Sequence, residues 1–307
     1  MSVCAHLFPG QGSQYVGMGR HLHATFTEAR AVFDQADHIL GIDLSRLCFD
    51  GPVESLNDTL NTQPAILTTS IAALRALQEY SMESPAYVAG HSMGEFSAVV
   101  AAGALPFEAG LRLVRERGRL MQQAGQRNPG GMAAVLGLAR EQVVAICTAA
   151  REESGEYVGI ANDNCPGQLV ISGATDALEQ AMELARAQGA KRVIRLAVSI
   201  AAHSPLMTEA AAEFRRLLDT MPLQEPAIPI VLNATARPLT NPEAIREALG
   251  RQLTSPVRWA DSMRWMIDNR VTRFTEVGPK EVLTGLLRRI DRTVERSTTT
   301  KILTGRA

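Results

Sequence analysis

The stretch AYVAGHSMGEFSAVVA, residues 86–101, decides the fold. Its first part, residues 87–89, is a short apolar run that reads as a buried strand, and the small residues after Gly94 read as a helix. Between them, Gly90-His91-Ser92-Met93-Gly94 fits G-x-S-x-G, the sharp strand-to-helix turn that raises a serine above the end of a sheet. Such a turn crowds neighbouring backbones, and glycines relieve the crowding because they carry no Cβ. The helix N-terminus adds partial positive charge beneath the serine oxygen. In this context Ser92 reads as a nucleophile; an ordinary turn serine is the bland alternative.

A serine nucleophile needs a base. The six histidines are His6, His21, His23, His38, His91 and His203. His91 adjoins Ser92, so its side chain leaves the turn in another direction. Hydrolases with this turn place the base after the serine in the chain, and only His203 qualifies, in LAVSIAAHSPLM.

Upstream, FPGQGSQYVGMG spans residues 8–19 directly after an apolar N-terminal run. It lacks the G-x-G-x-x-G of a dinucleotide site, and no lysine follows to make a P-loop. What remains is a tight turn with uncovered backbone N–H groups. It is either a plain turn or a cradle for an oxyanion, including one present only in a transition state.

A second charge clue lies in the helix read over residues 108–124. Gly110, Leu113, Val114, Leu120, Met121 and Ala124 share one apolar arc, with Arg117 in its middle. Arg112, Arg115 and Arg119 fall on the polar side. A buried guanidinium calls for an anionic partner: a structural Asp or Glu, or a substrate carboxylate held bidentately.

Around these landmarks, helices are expected over 25–40, 64–80 and 107–124. Asn128-Pro129-Gly130-Gly131 reads as a linker. Then follow a strand at 132–136, a helix at 140–150, strands at 158–161 and 168–172 joined by a turn at 163–167, a helix at 176–188 and a strand at 192–196. That βαββαβ order is the ferredoxin-like split unit. Strands at 228–233 and 274–277 are expected to rejoin the large sheet, before a last helix at 280–290. The expected fold is therefore α/β: an α/β-hydrolase-like subdomain with a parallel sheet, residues 1–128 and 198–307, carrying an inserted ferredoxin-like subdomain, residues 129–197. The cleft between them is the natural place for chemistry.

The bulk numbers fit an enzyme of this kind. With 46% hydrophobic and 21% charged residues over 307 positions, the chain has the balance of a soluble globular protein. Net charge −1 gives no general reason to expect nucleic acid or an anionic membrane as partner. No apolar run is long enough to span a bilayer, and the N-terminus shows no signal-peptide pattern. Cys4, Cys48, Cys147 and Cys165 have no metal-ligand or disulfide spacing, so a cytoplasmic location without a metal is expected.

Taken together, these residues resemble the malonyl-CoA:acyl carrier protein transacylase family, the acyltransferases of fatty acid and polyketide synthesis. The resemblance covers nearly the whole chain: PGQGSQ at 9–14, TQPAI at 62–66, GHSMGE at 90–95, Arg117-Gly118, PGQLVISG at 166–173, HSPLM at 203–207, NATA at 233–236 and EVGPKEVLTGL at 276–286. It implies that Ser92 attacks the malonyl-CoA thioester, that His203 is base and acid, and that the backbone carbonyl of Gln252 orients His203. The backbone N–H groups of Gln11 and Met93 are then the oxyanion hole. Arg117 holds the malonyl carboxylate, with Gln63 and Ala202 in the substrate pocket. The malonyl-serine ester is discharged onto the phosphopantetheine thiol of an acidic acyl carrier protein, without a cofactor, by a protein expected to be monomeric. Lys191-Arg192 and Arg288-Arg289 are the basic pairs chosen for carrier docking; an ordinary solvated face is the alternative for each. One departure stands out. The family commonly has phenylalanine before the histidine, where this chain has Ala202. The rival functions are a hydrolase acting on acylated carrier proteins, a malonyl transferase subunit of malonate decarboxylase, and a catalytically silent interaction module.

Overall fold

The computed structural model describes residues 3–80 and 84–305. In chain order its strands are β1 (Val3–Phe8), β2 (Tyr87–Gly90), β3 (Gly130–Leu136), β4 (Val158–Cys165) and β5 (Gln168–Ala174). They are followed by β6 (Arg192–Arg195), β7 (Ile230–Leu232), β8 (Arg237–Leu239), β9 (Val271–Glu276) and β10 (Glu295–Thr298). Six strands form one sheet in the order β10-β9-β1-β2-β7-β8. All neighbours are parallel except β7 and β8, so the sheet is mixed at one edge. The antiparallel β8 departs from the purely parallel sheet expected. Its three residues carry Pro238, which reads poorly as strand and is tolerated at an edge.

The central strands are apolar on both sides because helices cover both faces. Phe8, Val88, Ile230 and Leu232 enter one core with the helices Thr27–Leu40, Thr59–Glu79 and Phe107–Arg127. The alternating residues Leu7, Ala89 and Val231 enter a second core with Trp259–Asp268 and Val282–Ile290. No helix among the described residues is long and apolar enough to cross a membrane.

The four remaining strands form a separate antiparallel sheet, β4-β5-β3-β6, with helices Arg140–Ser154 and Thr175–Ala187 packed on it around a third core. That order is the one a βαββαβ chain takes when each crossover skips a strand, the ferredoxin-like arrangement.

Several boundaries differ from the sequence expectation, each for a local reason. Gly130 and Gly131 are not linker but the start of β3, paired with Ala174 and Gly173. A Cβ at Gly130 would stand 2.5 Å from the Gly173 carbonyl and 3.1 Å from the Ala201 Cβ, so this strand end must be small. The expected turn at 163–167 shrinks to Pro166-Gly167, because β4 continues through Asn162 and Asp163 by bonding to Val257, a partner far away in sequence. The helix expected from Pro64 starts at Thr59, where Asp58 caps it by accepting from the Leu60 N–H at 2.9 Å. The helix expected at 280–290 starts at Val282 rather than at Lys280, which has a left-handed φ of 62°, and it is not the last, since β10 and a helix Thr299–Thr304 follow.

Candidate active site

Parallel neighbours bring their C-terminal ends to one edge of the sheet, where open α/β sheets bind ligands. The segments after β1, β2, β7 and β9 therefore meet, and they carry Gln11, Ser92, Asn233 and Gly278. The turn after β2 is as crowded as its glycines suggest. A Cβ at Gly90 would lie 1.9 Å from the Gly94 carbonyl carbon, and one at Gly94 would lie 2.1 Å from the Phe8 carbonyl oxygen. Ser92 sits at φ 51°, a strained value for a residue with a Cβ.

Asn233 holds that strained turn. Its Oδ1 accepts from the Ser92 N–H at 2.7 Å and its Nδ2 donates to the Gly90 carbonyl at 2.7 Å. Its own N–H donates to Glu95, which is 2% exposed at the start of the helix Gly94–Ala101. Neither Asn233 nor Glu95 was singled out as a site residue from the sequence, although both lie within the quoted NATA and GHSMGE segments.

The Ser92 hydroxyl lies 2.8 Å from His203 Nε2. His203 Nδ1 is 2.9 Å from the Gln252 carbonyl and 3.1 Å from the Ser255 carbonyl. Those two acceptors require the proton on Nδ1, which leaves Nε2 free to accept from the serine. His203 also has a left-handed φ, 60°. Its loop is pinned by Ser172, which donates to the Ala202 carbonyl at 2.8 Å, and by Ser204, which donates to the Ala201 carbonyl at 2.6 Å. Burial, and then the Arg117 cation, lower its pKa to about 3, so the imidazole is neutral across the physiological range.

Arg117 is buried at 1% exposure and lines the same cleft. Its protein partners are amides rather than the structural Asp or Glu that was one of the two expected anions. Nε and Nη2 donate to Gln252 Oε1 at 3.0 and 2.7 Å, while Nη1 donates to Gln63 Oε1 at 2.9 Å and lies 3.1 Å from Met121 Sδ. Phe96 lies beneath the guanidinium, 5.6 Å from ring centroid to Cζ. Among the described residues no carboxylate is in ion-pair contact with it. Glu95 acts on it at longer range, and burial outweighs that help, lowering the Arg117 pKa to about 10 while raising that of Glu95 to about 7. These contacts occupy at most four of the five guanidinium N–H groups. The cation is fixed by neutral amides and still has a donor to offer an anion in the cleft.

The cleft has a volume of about 380 Å³ and lies between the two sheets. Gln11, Ser92, Met93, Arg117, Ala202 and His203 all border it. Among the described residues, the backbone N–H groups of Gln11 and Met93 donate to no protein acceptor. Gln63, expected in the substrate pocket, is instead fully buried and does not border the cleft, which it reaches only through its bond to Arg117. Asn164, inside the stretch that read as a turn, and Asn162, just before it, also face the cleft from β4, and Asn164 Oδ1 lies 2.8 Å from His91 Nε2. The C-terminal motif supports the loop after β1. Lys280 Nζ donates to the Gly12 carbonyl at 3.1 Å, and Glu276 accepts from the N–H groups of Val282, Leu283 and Thr284.

One member of each basic pair comes to one corner, Lys191 and Arg289, on either side of the turn at Pro166-Gly167. Lys191 packs across Gly137, and Gly137 donates to the Gly167 carbonyl at 2.9 Å. Arg289 Nη1 reaches Gln168 on the other side of that turn at 2.9 Å. Lys191, Arg192, Arg288 and Arg289 are all exposed, but Arg289 is committed to bridging the helix Val282–Ile290 and the small sheet.

The sequence matches the acyl transferase domain family over residues 5–304. It is 45% identical over 292 residues to the malonyl CoA-acyl carrier protein transacylase of Bacillus subtilis, covering 95% of this chain and 92% of that protein. The chain belongs to the malonyl-CoA:acyl carrier protein transacylase family. Among solved structures, an acyl carrier protein S-malonyltransferase from Vibrio cholerae superposes with a TM-score of 0.93 at 44% identity, covering 97% of this chain and 96% of that one. A malonyl-transacylase solved in complex with a type II polyketide synthase acyl carrier protein superposes at 0.94 with 39% identity, covering 99% and 100%.

Proposed function

We propose that this protein transfers malonyl from malonyl-CoA to the phosphopantetheine thiol of an acyl carrier protein, supplying extender units for fatty acid or polyketide synthesis. The observation that carries the malonyl assignment is Arg117, a buried cation held by amides at the wall of the cleft that contains Ser92.

In the first half-reaction His203 Nε2 takes the Ser92 proton as the oxygen attacks the thioester carbonyl. The negative oxygen that develops is met by the N–H groups of Gln11 and Met93. CoA leaves with the proton from His203, and a malonyl ester remains on Ser92. In the second half-reaction His203 deprotonates the carrier thiol, which attacks the ester, and the proton returns to Ser92. Arg117 holds the free carboxylate throughout, beside Gln63. The Gln252 carbonyl keeps the His203 proton on Nδ1. No cofactor enters these steps. We read the enzyme as a cytoplasmic monomer; four free, buried cysteines suit a reducing compartment.

A carrier-protein hydrolase acting on uncharged acyl groups has no use for the buried Arg117. The test is Arg117→Ala. Malonyl transfer is expected to fall by orders of magnitude, roughly 2–5 kcal/mol by comparison with truncated buried charge pairs, while acetyl transfer stays equal or improves. Normal handling of malonyl-CoA by the variant would make Arg117 merely structural.

A further inference from the structure

Glu95 is a buried carboxylate bonded to the residues that hold Ser92 and Arg117, with no part in the steps above. It lies one helical turn past Ser92, and its two oxygens face different elements of the site. Oε1 accepts from the Asn233 backbone N–H and Oε2 from the Gln252 side-chain Nε2. The same Nε2 donates to the Ser92 carbonyl at 2.8 Å. The Gln252 amide thus stands between Glu95 and Arg117, with its NH2 toward the carboxylate and its oxygen toward the guanidinium.

Only one orientation of that amide works. Turned by half a rotation, its oxygen would oppose the carboxylate and the Ser92 carbonyl, and its NH2 would oppose a cation. Glu95 therefore decides which end of Gln252 meets Arg117. The amide also keeps the two charges apart. A direct Glu95–Arg117 pair would neutralise the guanidinium with a protein carboxylate, whereas the neutral amide leaves its charge for a ligand.

We propose that Glu95 is a positioning residue for acyl-group selection: through the Gln252 amide it fixes the Arg117 guanidinium in the orientation that receives a substrate carboxylate. Gln252 further joins this control to the base, since its backbone carbonyl is the one that holds His203 Nδ1. The inference rests on the reading of Arg117 as the malonyl carboxylate site.

The test measures kcat/KM for malonyl-CoA and acetyl-CoA in the wild type, Glu95→Gln, Arg117→Ala and the double variant. Glu95→Gln keeps the volume but offers one acceptor oxygen to two donors, the Asn233 N–H and the Gln252 NH2, and it removes the charge that orders the Gln252 amide. The malonyl-to-acetyl ratio should fall on the order of tenfold or more, as expected for losing the alignment of a hydrogen bond to a charged group. The fall should come through a raised KM for malonyl-CoA, and Glu95→Gln should not lower the ratio further once Arg117 is alanine. An equal loss for both thioesters, or an additive loss in the double variant, overturns the proposal and makes Glu95 a structural residue. If Arg117→Ala itself keeps malonyl selectivity, the carboxylate-site reading fails first, and the proposal with it. Should Glu95→Gln not fold, Gln252→Met removes the amide and keeps the backbone carbonyl. Loss of the ratio is then expected, and an unchanged ratio overturns the proposal.

Discussion

Ser92 and His203 both occupy the left-handed region, at φ 51° and 60°, and their side chains meet at 2.8 Å. Each strained residue is tied down by neighbours: Asn233 bonds the Ser92 N–H, and Ser172 bonds the carbonyl just before His203. Strain kept at a reacting pair is a cost in stability that relief should reveal. Ser92→Gly should stabilise the fold by up to about 1 kcal/mol, because glycine adopts positive φ freely. Acyl transfer should vanish. Thermal or denaturant melts check this, and a less stable glycine variant would show that the turn carries no strain.

Arg117 should govern the pH profile as well as selectivity. Burial first, and the Arg117 cation second, disfavour the imidazolium of His203. Removing the cation makes protonation of His203 easier, so its pKa rises toward the ordinary histidine value. The acid limb of kcat/KM, where the base is lost by protonation, should then move to higher pH in Arg117→Ala. Acetyl-CoA is the substrate for the comparison, since it does not need the arginine. A limb that stays in place or moves to lower pH contradicts the coupling.

Much of the site could be read from the sequence because local sterics wrote it there. Gly90 and Gly94 mark backbone approaches so close that no other residue fits, and that requirement is visible without the fold. The burial of Arg117 followed from helical periodicity alone. Its amide partners did not, because Gln63 and Gln252 come from separate helical segments that only tertiary packing unites. Asn162 and Asn164 were hidden for a similar reason: Asn, Asp and Pro look like turn residues until Val257 supplies the strand partner. Asn233 and Glu95 look like ordinary polar residues in a loop and a first helical turn. Glu276 left a faint signal, as an acid inside the apolar run Phe274–Val277, and its role as the cap for three successive N–H groups emerges only from the fold.

Ala202 borders the cleft at the position where the family resemblance leads to an expectation of phenylalanine, so the wall beside the substrate's α-carbon is expected to be less restrictive. A methyl group is worth about 1–3 kcal/mol of discrimination in such a pocket. Malonyl-CoA should still be preferred, with measurable use of methylmalonyl-CoA. Ala202→Phe should sharpen the preference. An identical kcat/KM ratio for the two thioesters before and after would mean that position 202 does not touch the α-carbon.

Lys191, Arg192 and Arg288 are exposed cations expected to meet an acidic carrier protein, although the whole chain is near neutrality. Arg289 already bridges to Gln168 and should be left intact. Reversing the other three charges should raise the KM for carrier protein several-fold and leave malonylation of the enzyme by malonyl-CoA unchanged. An unchanged KM would show that these cations are only part of a solvated face.

The central claim is that malonyl rests on Ser92 between its two thiol partners. Intact-protein mass after mixing with malonyl-CoA tests it most directly. A malonyl adduct is expected that is absent in Ser92→Ala and is discharged by adding carrier protein, with malonyl appearing on the carrier. An adduct that persists in Ser92→Ala, or one that is lost to water while the carrier stays unloaded, would contradict it.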